Sequence, residues 1–140
     1  MQIRDFGETD VAALVEILKA NQQYHQPGID GPDAMLRVRA CEAAEFLVAE
    51  QEGEVLGMIR GTYDGSRAII YMASVHPAQQ RLGIGRALVT EIARRFQKRG
   101  ANSISVIVPG DAGFWRKMGF RQTTRVMQAY PIEQVLATEN

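Results

Sequence analysis

One strand-to-helix junction constrains this chain more than any other stretch. The run Ala68 to Val75 is rich in β-forming residues and stops at Pro77, and a helical pattern runs from Ile84 to Gly100. Between them stands Val75-His76-Pro77-Ala78-Gln79-Gln80-Arg81-Leu82-Gly83-Ile84-Gly85-Arg86-Ala87-Leu88. Glycines at 83 and 85 let the backbone turn sharply and bring bare amides close to a ligand. The first turn of the helix adds unpaired N–H groups and a positive dipole end. Together these make an anion site, and phosphate is the usual anion.

Two familiar phosphate motifs fail here. No G-x-x-x-x-G-K-[ST] string occurs, and a G-x-G-x-x-G fingerprint breaks at Leu88. A third pattern, Gln/Arg-x-x-Gly-x-Gly/Ala, is met by Gln80-Arg81-Leu82-Gly83-Ile84-Gly85. An ordinary glycine-rich β–α turn is the plain alternative.

At 140 residues the chain reads as one domain, residues 1–140, long enough to bury a core without staples. Sixteen basic and sixteen acidic residues cancel, which argues against a nucleic-acid-coating protein. A single cysteine, Cys41, excludes an internal disulfide and any cysteine-cluster metal site, and no metal is expected. No long apolar run or signal peptide is visible, so the expectation is a soluble cytoplasmic protein without a membrane partner.

Taken in order, Gln2 to Phe6 reads as a strand. Thr9 or Asp10 caps a helix to about Gln22, carried by Val11, Leu14, Val15 and Leu18 at helical spacing. Asn21 to Asp30 reads as a loop holding Tyr24 and His25, and a second helix runs from Gly31-Pro32 to about Ala44. Cys41 is read as packing. A meander follows: Phe46–Ala49, a turn at Glu52-Gly53, then Val55–Tyr63. Gly57 and Gly61 in that last run mark a bulge or a close backbone approach. Asp64-Gly65 makes a hairpin into Ala68–Val75. On the helix from Ile84 to Arg99, Leu88, Val89, Ile92 and Phe96 form an apolar stripe, and the cations from Arg94 to Arg99 read as a solvated face. Arg81 and Arg86 stand at its start, within reach of a phosphate. Ile104–Val108 is a strand, Pro109-Gly110-Asp111 a turn, and Phe114 and Met118 the inward side of a helix ended by Gly119. Arg121–Ala129 reads as a last strand, and Pro131–Ala137 as a short helix or tail.

The six-residue loop string and its Val75-His76-Pro77 lead-in resemble the coenzyme A loop of the GNAT superfamily of N-acetyltransferases. Ala112-Gly113-Phe114-Trp115-Arg116-Lys117-Met118-Gly119-Phe120 is similar to the family's Ala-x-x-Phe-Tyr-x-x-x-Gly-Phe helix and turn, with a shorter lead-in. The resemblance covers about residues 2 to 130 in the family's order. The Tyr63-Asp64-Gly65 hairpin before Val75 is similar to that of the YpeA-like subgroup. The fold implied is α/β (α+β): a mixed, mostly antiparallel central sheet flanked by helices.

The activity implied is acetyl transfer from acetyl-CoA to a primary amine of a small molecule, peptide or protein, directly in a ternary complex. The partners are then acetyl-CoA and the amine, with room for a homodimer. Coenzyme contacts fall to Gln80, Arg81, Leu82, Gly83, Ile84, Gly85 and Arg86. In the family the fourth strand offers its backbone to the pantetheine arm, which points to Ala73 and Val75. By alternation Tyr71 shares their face. Phe114 and Trp115 complete the coenzyme set. The chain departs from the family at the acid: a tyrosine commonly follows the phenylalanine of the second motif, and here Trp115 stands there. An indole N–H donates a hydrogen bond but does not give up its proton near neutral pH. Tyr71 and Tyr130 are the substitute donors, each with a packing role as the alternative. Trp115 either shields the thioester or fills a core seam. His76 is read as serving its turn rather than as a base. Two other classes stay open: a non-catalytic acyl-CoA sensor, and a nucleotide-binding protein using the same anion loop.

Overall fold

The computed structural model describes residues 1–108 and 110–137, and it falls into two units, Met1–Ile107 and Val108–Asn140. Pro109 of the expected turn lies outside the described residues.

The first unit is built on a five-stranded sheet in the order β1-β2-β3-β4-β5. The strands are β1 (Gln2–Asp5), β2 (Ala44–Gln51), β3 (Glu54–Tyr63), β4 (Ala68–Val75) and β5 (Ile104–Val106). The first four pair antiparallel and β5 runs parallel to β4, so the sheet is mixed and mostly antiparallel. Helices α1 (Val11–Ala20), α2 (Pro27–Asp30), α3 (Pro32–Arg39) and α4 (Ile84–Arg99) accompany it.

Strand alternation gives each helical layer its own set of inward residues. Phe46, Val48 and Met58 join Leu14, Ile17 and Leu18 of α1 and Met35 of α3 in one core, with Met72 against it. The interleaved residues Leu47, Ala49, Ile59 and Ile70 are equally buried and turn to the opposite side, where α4 contributes Leu88, Val89, Ile92 and Phe96. The apolar stripe expected on α4 is therefore the face it buries.

Several local expectations shift. The segment after α1 is not loop throughout, because Pro27–Asp30 forms α2: Pro27 stands at its start and the buried Asp30 carboxylate accepts from the amides of His25 (3.0 Å) and Gln26 (3.1 Å). Helix α3 stops at Arg39, five residues short of Ala44, since Ala44 already pairs with Thr62 in the sheet. Cys41 is exposed rather than packed, in the turn that connects them. Asp10 does not cap α1. Its buried carboxylate accepts backward from the Gly7 amide at 2.8 Å and from both terminal nitrogens of Arg4 at 2.8 and 2.9 Å. That pairing holds the Asp10 carboxyl below its ordinary range.

Gly57 and Gly61 do mark close approach. A Cβ at Gly57 would lie 2.8 Å from the Ser74 carbonyl oxygen, and one at Gly61 only 2.3 Å from that of Ile69. The β3–β4 ladder is irregular between Arg60 and Gly61: Arg60 faces Met72 and Gly61 faces Ile70, so Tyr71 is an additional residue in β4 with no partner on β3.

In the second unit, α5 (Gly113–Lys117) starts where the Asp111 carboxylate accepts from the Gly113 amide at 3.0 Å, and Gly119 ends it with φ 99°. Residues 121–129 form no strand. They are exposed, no strand among the described residues pairs with them, and their two largest apolar residues, Val126 and Met127, are adjacent rather than alternating. A short helix, α6 (Glu133–Leu136), lies within the expected 131–137 segment.

Candidate active site

The junction that opened the sequence reading forms as a turn into α4. Gly83 takes φ 87° and precedes the helix, with no side chain capping it. An added Cβ there would meet nothing within 4 Å, so backbone conformation and not space asks for glycine at 83. Arg81 also adopts a positive φ, 67°. Gly85 makes no turn of its own; it is the second residue of α4 and leaves its first turn without a side chain. The first bond into the helix runs from the Ala87 amide to the Gly83 carbonyl at 3.1 Å. The amides of Ile84, Gly85 and Arg86 precede it and point out of the helix start. Arg81 and Arg86 are exposed and have no carboxylate partner among the described residues. Uncapped amides with two guanidiniums beside them suit a polyanion.

The other three arginines of α4 are otherwise engaged. Arg94 and Arg95 bind Glu91, Arg95 reaches Asp5 and Glu45, and Arg99 binds Glu45, tying the helix to β1 and β2. Arg95 and Arg94 hold the Glu91 carboxyl below its ordinary range. The expected solvated face is thus partly an ionic seam.

Next to this loop, β4 parts from its neighbour. β5 pairs only with Ala68, Ile69 and Ile70. From Tyr71 to Val75 no strand lies on the side away from β3 among the described residues. Carbonyls on that side are met by side-chain amides. Gln23 Nε2 donates to the Ala73 oxygen (3.2 Å), while Asn21 Nδ2 (2.7 Å) and Gln80 Nε2 (3.0 Å) donate to that of Val75. Asn21 Nδ2 also donates to Ser74 Oγ at 2.8 Å, and Asn21 Oδ1 accepts from Gln80 Nε2 at 3.2 Å. Gln23 Oε1 is buried without a partner among the described residues. Ala73, Val75 and Gln80 are therefore brought together, and Asn21 and Gln23, which the sequence offered only as loop, join them. Tyr71 is 45 % exposed, and the bulge removes it from the alternation that assigned it to the face of Ala73 and Val75; Ile70 takes that place.

His76 Nδ1 accepts from the Ala78 amide at 3.1 Å, so it serves its turn as expected. Tyr24 packs against the α1/α3 core and His25 is exposed. A cleft of about 540 Å³ lies on the α1 side, lined among others by Asp10, Glu16, Glu50, Glu54 and His76. Its acidic wall does not suit a phosphate.

Phe114, Trp115 and Tyr130 belong to the second unit. Trp115 is half-buried between Phe114 and Phe120, whose rings stand edge-on to it at 5.1 and 5.4 Å. Phe114 is 42 % exposed and does not face inward. Tyr130 is 51 % exposed. Among the described residues no group of three or more His, Cys, Asp or Glu is placed to hold a metal ion, and no helix is long and apolar enough to cross a membrane.

The model of the "Acetyltransferase (GNAT) domain" family matches residues 42–122. An acetyltransferase of Photorhabdus laumondii is 35 % identical over 111 residues, covering 79 % of this chain and 77 % of that protein. The chain belongs to the GNAT acetyltransferase family. Solved GNAT structures share its fold at lower identity. The aminoglycoside 6'-N-acetyltransferase of Acinetobacter haemolyticus superposes with a TM-score of 0.78 at 17 % identity, over 92 % of this chain and 97 % of that one. The PaiA N-acetyltransferase of Thermoplasma acidophilum, solved with coenzyme A, gives 0.72 at 16 % identity, over 84 % and 86 %. The family match spans β2, β3, β4, the anion loop, α4, β5 and α5. It leaves out α1, α2 and the connection between them, which holds Asn21 and Gln23.

Proposed function

We propose that residues 1–140 form a single acetyl-CoA-dependent N-acetyltransferase domain that moves the acetyl group to a primary amine by direct transfer in a ternary complex. The observation that carries this reading is the uncapped start of α4, flanked by Arg81 and Arg86, beside the strand end where β4 has left β5. The amides of 84–86 and the two guanidiniums take the pyrophosphate. Residues of a strand point their N–H and C=O groups to the same side, so the N–H groups of Ala73 and Val75 lie on the side of their carbonyls, away from β3. Those carbonyls already accept from Asn21, Gln23 and Gln80, which leaves the N–H groups for the carbonyl oxygens of a pantetheine arm. Leu82, 70 % exposed, offers apolar contact at the mouth. That a related fold was solved with coenzyme A supports the same reading.

In the reaction the amine nitrogen bonds to the thioester carbon, the carbon–sulfur bond breaks, the amine loses a proton and the sulfur leaves as a thiol or thiolate. Trp115 cannot supply that proton. Tyr71 is the phenol this reading assigns, because the bulge frees it from the ladder at the point where β4 leaves β5.

The lack of the usual acid favours one alternative, a non-catalytic acyl-CoA sensor. Acetyl-CoA should raise the melting temperature and ATP should not; release of free coenzyme with a panel of primary amines then separates enzyme from sensor. Equal stabilisation by ATP would overturn the coenzyme assignment, and stabilisation by acetyl-CoA without turnover would favour the sensor.

A further inference from the structure

Four arginines of the first unit, Arg4, Arg94, Arg95 and Arg99, have carboxylate partners. Among the described arginines without one, Arg60 alone is not fully exposed. It sits on β3 with Phe46 and Met72 as its cross-strand neighbours, so its stem lies on the α1/α3 face of the sheet, where both of those residues meet the core. Its guanidinium offers five N–H donors and makes one hydrogen bond among the described residues, to the Ile29 carbonyl of α2 at 3.2 Å. Asp30 is near enough to be felt electrostatically but forms no ion pair with Arg60; its Oδ2 accepts from the amides of His25 and Gln26. Burial pulls the Arg60 guanidinium below the ordinary arginine value, a sign that its charge is poorly compensated.

A partly desolvated cation with unused donors costs stability unless something pairs with it. Arg60 has no such partner among the described residues, but it has the right neighbours. Met72, opposite it, adjoins the bulged Tyr71 on one side and Ala73 on the other. Residues 21–30 connect the two places: Asn21 and Gln23 bind the carbonyls at the end of β4, and Ile29 receives Arg60. Arg60 thus stands on the sheet face opposite α4 and its anion loop, one strand away from where β4 opens.

We propose that Arg60 determines acceptor specificity by binding a carboxylate carried by the amine substrate. The planar guanidinium fork matches a carboxylate in a bidentate pair, while the amine of the same molecule reaches the opened stretch of β4. This rests on the transferase reading above and adds to it a substrate class, amines that bear a carboxylate, such as amino acids and short peptides.

The test uses matched acceptors: free amino acids and dipeptides against the same compounds with the carboxylate amidated. Coenzyme release is followed for the full chain and for Arg60→Gln and Arg60→Lys. The wild type should favour the free carboxylates in kcat/KM by roughly 10- to 100-fold, the scale of a charge-assisted hydrogen bond. Arg60→Gln should bring that ratio to within about twofold of one while the melting-temperature rise with acetyl-CoA is kept. A ratio taken on one protein does not depend on how much of it is folded. If Arg60→Gln does not fold, Arg60→Lys decides, since it keeps charge and stem but lacks the fork and should lower the ratio several-fold. An unchanged ratio in either folded variant, or a wild type indifferent to amidation, overturns the proposal. If no acceptor turns over, the transferase reading fails by itself. Binding then decides: the free acids must raise the melting temperature of the acetyl-CoA-saturated wild type and not that of Arg60→Gln, and failure to do so overturns the role of Arg60.

Discussion

The side-chain nitrogen of Asn21 donates to the main-chain oxygen of Val75 at 2.7 Å, joining positions 54 apart in the chain. The same nitrogen donates to Ser74 Oγ, and the Asn21 oxygen accepts from Gln80, so one amide links the end of α1, the end of β4 and the anion loop. Replacement by aspartate keeps the shape and removes the donor, setting a carboxylate against the Val75 carbonyl. Asn21→Asp should cost about 1–3 kcal/mol in chemical denaturation and should be worse than Asn21→Ala. The reverse order would mean that the amide is not needed where it sits.

At the loop, the two glycines should fail in different ways. Gly83→Ala meets open space but a positive φ, so it should lose roughly 1–2 kcal/mol of stability and keep much of its response to acetyl-CoA. Gly85→Glu adds a carboxylate to the first turn of α4 and should abolish the coenzyme-induced rise in melting temperature. Arg86→Ala should weaken coenzyme binding about tenfold or more, whereas Arg94→Ala, which only releases Glu91, should not. Equal losses from Arg86 and Arg94 in a titration would show that the anion does not sit at the helix start.

Acid should act on the first strand. Arg4, hydrogen-bonded to Asp10, depresses the Asp10 carboxyl in the folded state. A depressed carboxyl contributes stability that is present at neutral pH and is lost as pH falls below the ordinary value of about 4 toward the folded one. Stability measured by denaturation should therefore decline with falling pH in that window, and Asp10→Asn should be less stable at neutral pH with a flatter decline. Parallel declines in the two proteins would remove Asp10 as a source.

Much of this was legible beforehand because it follows from local rules. Gly83 before a 3.6-residue pattern, Asp64-Gly65 between two β-runs and the Leu88–Phe96 stripe each determine their element within a few residues. The turn at the start of α4, on which the proposed site rests, was legible for the same reason. What escaped is long-range. Nothing near Asn21 or Gln23 announces that their amides meet β4, since those bonds span 50 positions or more. The bulge at Tyr71 breaks the alternation by which its face was assigned. For Arg60 there was a signal: it stands two residues after Met58, on the phase of β3 that faces the core, where a charge is out of place. The 121–129 segment has β-forming residues but no alternation, and it found no ladder.

Trp115 separates two readings of the second unit. Its ring already has Phe114 and Phe120 edge-on, a packing role sufficient in itself. If it also lies against the pantetheine arm, Trp115→Tyr should keep coenzyme binding and leave turnover equal or faster, and Trp115→Phe should change the rate little. Fluorescence of this sole tryptophan should change on titration with acetyl-CoA. Unchanged emission at saturation, with variants that alter stability more than affinity, would assign it to packing alone.

The bulge in β4 has a consequence for how the strand could be edited. Upstream of it the even-numbered residues 68 and 70 share a side; downstream the odd-numbered 73 and 75 share that same side. Excising Tyr71 would therefore leave every remaining rung with its present partner and the strand in strict two-residue phase. The sheet has a ready-made way to close over the missing residue. A protein shortened by that one position should still fold, and whatever it loses will measure the bend and the phenol rather than the ladder.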